Sequence, residues 1–244
     1  MTRQKISSPK IGFDRYIALD WAAAALRARA ESGTVDDLNE LLDAAGLGVE
    51  ARKKTRTVLN RLWLQPRPEL ADFAQRGVDI YKSDPSVPIA ALTWGMAIAT
   101  YPFFGKVAEL IGRLSSLQGD CASAEVHRRM SEIYGEREGT LRMTNMVLQS
   151  QANWGVIERV EKGKRLIRMA PIRISSEESV TWLVEAVLRY ANKAFPVSVL
   201  SSQAVIFPFM LDQPLGYLVS KSPNLVVYSQ GVNSQFVSLP SFAS

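Results

Sequence analysis

A chain of 244 residues, 47% hydrophobic and 22% charged, carries enough apolar side chain to bury a core, which excludes wholesale disorder. Lys and Arg number 29 against 24 Asp and Glu, a formal excess of +5 whose placement says more than its size. One cysteine, Cys121, excludes an internal disulfide, and one histidine, His127, excludes a metal site built from several His and Cys ligands.

The N-terminus is basic, but the apolar stretch after it is broken by Asp14 and Asp20, which does not fit a secretory signal. With a lone thiol, the expected compartment is the reducing cytoplasm. Residues 1–13 read as a flexible tail, with Ser7-Ser8-Pro9 as loop chemistry. Residues 14–118 read as a helical N-terminal unit. Helices are predicted at 15–30, at 35–45 behind a Thr34 cap, at 51–64, at 69–81 and at 103–117.

Between Asp84 and Lys106 lie 21 uncharged residues, a length that raises a membrane span. Pro88 and Pro102 confine a helix there to 13 residues, too few to cross about 30 Å of hydrocarbon. A buried central helix is expected instead.

Residues 119–175 change character. Asp120 is a candidate cap for a helix through Tyr134, and Gly135 and Gly139 flank a short turn. A longer helix runs to Asn153 and closes at Trp154-Gly155. Strands at 156–160 and 165–169 bracket the charged turn Glu161-Lys-Gly-Lys164. Helix, turn, helix and hairpin in this order match a winged helix-turn-helix. In the last segment, residues 176–244, Ser176 caps a helix to Asn192, and 225–228 pairs with 236–239 across Gln230-Gly231. The expected fold is mainly α: a helical N-terminal unit, a winged helix-turn-helix with a small β-hairpin, and a C-terminal helix and hairpin segment.

The positive charge concentrates in two places. From 121 to 175 ten basic residues face six acids, and Arg52, Lys53, Lys54, Arg56 and Arg61 stand in a stretch without an acid. Both suit phosphate-facing surfaces, so double-stranded DNA is the expected partner. On a helical wheel, Leu141, Leu148 and Ala152 form one apolar face. Beside it Glu138, Arg142, Asn145, Gln149 and Asn153 make a polar stripe that can also serve as an ordinary solvated face. Arg, Asn and Gln are the side chains that bond base edges bidentately, which nominates Arg142, Asn145 and Gln149. Arg137 at the start of that helix, and Lys162, Lys164 and Arg165 at the hairpin, are nominated for phosphate. In the first block Arg52, Lys53, Lys54 and Arg56 oppose a helix dipole, to be offset by an anionic partner or by Glu50 and neighbouring acids.

Nothing nominates catalysis, a cofactor, a metal or a small-molecule substrate. Cys121 and His127, six apart, fall on different faces of a helix and read as a packed thiol and a surface imidazole. There is no Gly-rich phosphate loop and no nucleophile elbow.

The stretch Ala51-Arg-Lys-Lys-Thr-Arg-Thr-Val-Leu-Asn-Arg-Leu-Trp63, the turn Ile133-Tyr-Gly with its following helix, and Asn153-Trp-Gly-Val-Ile157 resemble the small DNA-binding A protein (BrxA) of bacterial BREX phage-defence systems. The resemblance covers most of the chain through loose motifs and is weakest in the last 70 residues. It implies a helical, non-enzymatic DNA-binding protein that works beside methyltransferase and ATPase partners. The rival expectation is an interaction scaffold or transcriptional regulator that docks a protein through the same module.

Overall fold

The helix between Pro88 and Pro102 is the centre of the molecule. In the computed structural model, which describes residues 12–84, 86–230 and 234–242, α5 (Ile89–Thr100) buries every residue but Ile89 and Ala99, which are half-buried. α1 (Leu19–Arg29), α4 (Ala71–Ser83) and α6 (Pro102–Leu114) pack on it, while α2 (Val35–Ala44) and α3 (Val49–Leu59) pack on α1. No helix among the described residues is long and apolar enough to cross a membrane. The mainly helical class expected from sequence holds.

Local chemistry explains most boundaries. Thr34 Oγ1 accepts from the Asp37 amide at 3.1 Å while the Asp37 carboxylate accepts from the Thr34 amide at 2.6 Å, a reciprocal cap on α2. α3 passes into a wider π-type turn, Asn60–Leu64, before Pro66 ends it. Of the expected tail, residues 1–11 lie outside the described residues. Phe13, assigned to that tail, is fully buried, its ring 5.4 Å from Tyr101 and 5.1 Å from Phe104. An aromatic ring with a pocket to fill outweighs the loop composition around it.

The second half begins with β1 (Asp120–Ala122), then α7 (Ser123–Tyr134), α8 (Glu138–Asn153), β2 (Ile157–Val160) and β3 (Arg165–Arg168). The three strands form one antiparallel sheet in the order β1-β3-β2. Here the expectation for Asp120 is corrected. It lies in a strand opposite Ile167, Ala122 takes the cap position of α7, and the Asp120 carboxylate bonds Arg165 Nε at 2.9 Å. A nearby guanidinium competes successfully for a carboxylate that would otherwise have bonded backbone amides.

β4 (Ile172–Ile174) pairs in parallel with β6 (Phe209–Leu211), enclosing α9 (Glu177–Ala191) between them in sequence. Ser176 caps α9 as expected, accepting from the Ser179 amide at 3.3 Å. β5 (Phe195–Pro196), α10 (Leu215–Lys221), β7 (Val226–Ser229) and β8 (Gln235–Ser238) complete the chain. The expected pairing of the last two strands is present, with Val227 opposite Val237, while Gly231 of its turn lies outside the described residues.

The segments share one core. α9 lies on α4 and α5, where Trp182 stacks on Phe73 with ring centres 4.4 Å apart and donates to the Phe73 carbonyl at 2.9 Å. Gly95 and Gly77 face that indole, and neither has room for a Cβ. Glu185 of α9 is buried but held by Arg76 at 2.6 Å and Arg189 at 2.8 Å, which offsets its desolvation.

Candidate nucleic-acid interface

α8 is fixed at its C-terminal end. Residues 12–18 run alongside it: the Ile17 amide donates to Ser150 Oγ at 2.9 Å, and Trp154 Nε1 donates to the Ile17 carbonyl at 2.9 Å. Asn153, the last residue of the predicted polar stripe, accepts from the Leu19 amide at 2.7 Å and is thereby a structural tie. Gly155, at φ +74°, ends the helix in the left-handed conformation glycine tolerates best. The buried side of α8 is formed by Thr140, Thr144, Val147, Leu148, Ser150 and Gln151. Leu141, expected on the apolar face, is instead 44% exposed. The helix turns its Thr140 edge inward because Thr144 Oγ1 satisfies itself on the Thr140 carbonyl at 2.8 Å and can be buried.

The N-terminal half of α8 is open. Arg137 sits in the cap position without capping the helix, so the first-turn amides have no side-chain acceptor. Among the described residues Arg137 Nε reaches only Thr140 Oγ1, at 3.4 Å. Arg142 is exposed and has no hydrogen bond or ion pair among the described residues. Gln149 is half-buried beside it.

Asn145 is engaged. Its Oδ1 accepts from Arg159 of β2 at 2.8 Å, and the same guanidinium lies against Gly163 of the hairpin turn, where a Cβ would meet it at 2.8 Å. Burial disfavours the charged form of Arg159, and burial together with that cation lowers the pKa of His127. Arg159 thus brings the turn alongside the middle of α8. At the turn, Lys162 takes φ +58° and Gly163 φ +82°, and Lys162 and Lys164 are exposed with no acid partner among the described residues.

The remaining cations of this region are spent internally. Arg128 and Arg129 each hold Glu125 at 2.7 Å, which keeps its carboxyl down at about 2, and Arg128 also pairs with Glu132. Arg165 pairs with Asp120 and lies 3.7 Å from Glu161, and Arg173 is 2.9 Å from Asp212. Arg168 donates to Ser115 Oγ at 2.6 Å and to the Gly112 carbonyl. Among the described residues, the exposed cations of 121–175 without an acid partner are therefore Arg137, Arg142, Lys162 and Lys164.

The block on α3 divides as well. Arg52 reaches Asp43 of α2 at 2.9 Å, not Glu50, and Arg56 donates to Asn60 at 3.1 Å and to Asn39. Lys53 and Lys54 remain exposed. Cys121 is buried, its thiol pushed up to about 11 by desolvation and Asp120, and His127 is half-buried with Nδ1 unpartnered. No cluster of three His, Cys, Asp or Glu suited to a metal occurs among the described residues.

Sequence reasoning missed Arg159 as the link between helix and hairpin. The only signal was an arginine two residues after the strand begins, which is not distinctive. No family model, curated protein or solved structure matches this chain.

Proposed function

We propose that residues 120–168 act as a winged helix-turn-helix that binds double-stranded DNA without chemistry, α8 entering the major groove and the hairpin turn lying on phosphates. The observation that carries this reading is local: within residues 121–175, the exposed cations that meet no acid among the described residues lie on the open half of α8 and the adjoining turn. The succession α6, β1, α7, α8, β2 and β3, with strand order β1-β3-β2, accords with it. So do the uncapped amides at the start of α8, which favour an anion. Together with the resemblance to the BREX A protein, this makes the chain a DNA-binding component of a cytoplasmic phage-defence system, with other defence proteins as partners.

The test is fluorescence anisotropy with a short duplex across a salt series. Neutralising four phosphates gives a log–log slope of about −4. No binding at about 50 mM salt overturns the reading.

A second reading, docking of a partner protein by a scaffold or regulator, is favoured by two apolar side chains at the α7–α8 turn. Ile133 is 43% and Leu141 44% exposed, and Leu141 borders a cavity of about 460 Å³. Under that reading Leu141→Ser abolishes partner binding, whereas under the first it leaves DNA affinity within about twofold.

A further inference from the structure

α6 forms a cleft with the end of α9 and the turn Ala204–Ile206. Its volume is about 720 Å³, within the size range of small-molecule sites. Lys106, Arg113 and Lys193 line it, with Glu109 as the one carboxylate. That carboxylate is already saturated. Lys106 Nζ reaches it at 2.5 Å, the Tyr190 hydroxyl donates to it at 2.6 Å, and Arg113 holds its other oxygen.

A second cleft of about 390 Å³ continues past Arg113, shares Gln203 and Ala204 with the first, and adds Arg168. Three cations thus face one carboxylate in the first cleft, and Arg168, bonded to Ser115 Oγ and the Gly112 carbonyl, adds its charge at the rim of the second. Two of them already lie over aromatic rings, Lys193 at 5.0 Å from the centre of Phe195 and Arg168 at 5.0 Å from that of Phe207. Gly112 packs so closely on the Ala204 backbone that a Cβ has no room, which fixes the wall between α6 and this turn.

We propose that this double cleft binds a small phosphorylated ligand of nucleotide size. Glu109 neutralises one positive charge and in doing so holds Lys106 and Arg113 in place, as a positioning residue. The uncompensated cations create a positive potential in a recess whose low-dielectric walls concentrate it. Arg113 keeps free N–H groups to bind phosphate oxygens in a fork, and the rings of Phe195 and Phe207 flank the space a base or sugar would fill. The inference is independent of the DNA reading, and its test contains no DNA.

Isothermal titration of the full-length protein with adenosine monophosphate is the direct experiment, with adenosine as the uncharged control. One saturable site per chain is expected, with adenosine at least tenfold weaker. Arg113→Gln and Lys193→Glu should each weaken the nucleotide at least tenfold. The paired variant Lys162→Glu/Lys164→Glu should leave its affinity within twofold. Thermal melts verify folding, and Lys193→Glu, at an exposed position, carries the test should Arg113→Gln not fold. Inorganic phosphate that competes with the nucleotide supports the proposal. Three results overturn it: no saturable binding at millimolar nucleotide, equal affinity for adenosine, or binding that survives both cleft variants and is lost in the hairpin variant.

Discussion

On α3, Arg52 reaches back to Asp43 and Arg56 to Asn39, so two cations of that block hold α2 against α3. On α8 and the hairpin turn, Arg137, Arg142, Lys162 and Lys164 meet no acid among the described residues. The two stretches look alike as sequence, since each is a local run of positive charge. The comparison shows that internal pairing thins each run differently: on α3 both arginines of the 52–56 block are engaged and Lys53 and Lys54 stay exposed, whereas on α8 and its turn two arginines stay exposed beside the two lysines. Exposed pairs of this sort add little stability, so their main consequence is to remove charge from the surface.

The largest effect should come from reversing the unspent charges. Arg142→Glu/Lys162→Glu/Lys164→Glu should lower duplex affinity more than 100-fold at about 100 mM salt. It should also flatten the salt slope by about three, one for each phosphate that is no longer neutralised. A triple variant with wild-type melting temperature and undiminished affinity breaks the comparison.

The reverse manipulation sharpens it. Glu125→Gln unties Arg129 and leaves Arg128 with Glu132 alone, so one cation becomes available and duplex affinity should rise about two- to threefold, with a slightly steeper salt slope. The same variant has a pH signature. Arg128 and Arg129 hold the Glu125 carboxyl at about 2 in the folded protein, below its ordinary value, so its stabilising contribution is present above the ordinary carboxylate range and lost as pH falls towards 2. Melting temperatures measured at about pH 5 and pH 3 should fall further in the wild type than in Glu125→Gln.

A smaller change is expected on α3. Lys53→Glu/Lys54→Glu should weaken binding less than about threefold, through long-range repulsion alone. A loss as large as that of the triple variant would move the interface to α3.

Sequence legibility followed the range of the interactions. α5 was readable because two prolines bracket it, α2 and α9 because Thr34 and Ser176 are local caps, and the β7–β8 hairpin because its strands are neighbours in sequence. β1 was not readable: three residues are too few to show a period, and its partner Arg165–Arg168 lies more than 40 residues on. The parallel pair β4–β6 was hidden for the same reason. For the candidate site, the polar stripe of α8 was visible on a helical wheel. Which cations in it stay free was not, because that depends on Asp120, Glu125 and Arg159 arriving from elsewhere.

The smallest effect, and the most discriminating, concerns Asn145. On a groove-reading helix an asparagine recognises adenine by accepting from the base N6 with Oδ1 and donating to N7 with Nδ2. Here Oδ1 already accepts from Arg159, at 2.8 Å, and that arginine is packed under Gly163 with burial disfavouring its charge. Giving up this bond to a base would leave a half-buried guanidinium short of a partner, a penalty comparable to what the base contact supplies. Asn145 therefore serves to hold the hairpin turn against α8, and its removal should loosen that turn. Asn145→Ala should change affinity less than about threefold, and by the same factor on every duplex sequence. An adenine reader would lose about 1–3 kcal/mol on its preferred site and little elsewhere. Because Arg159 is the other half of the contact, Asn145→Ala and Arg159→Ala combined should cost no more than Arg159→Ala alone. Additive losses in that cycle, together with sequence-dependent loss in Asn145→Ala, would make Asn145 a base contact after all and give α8 a specificity that free charge alone does not supply.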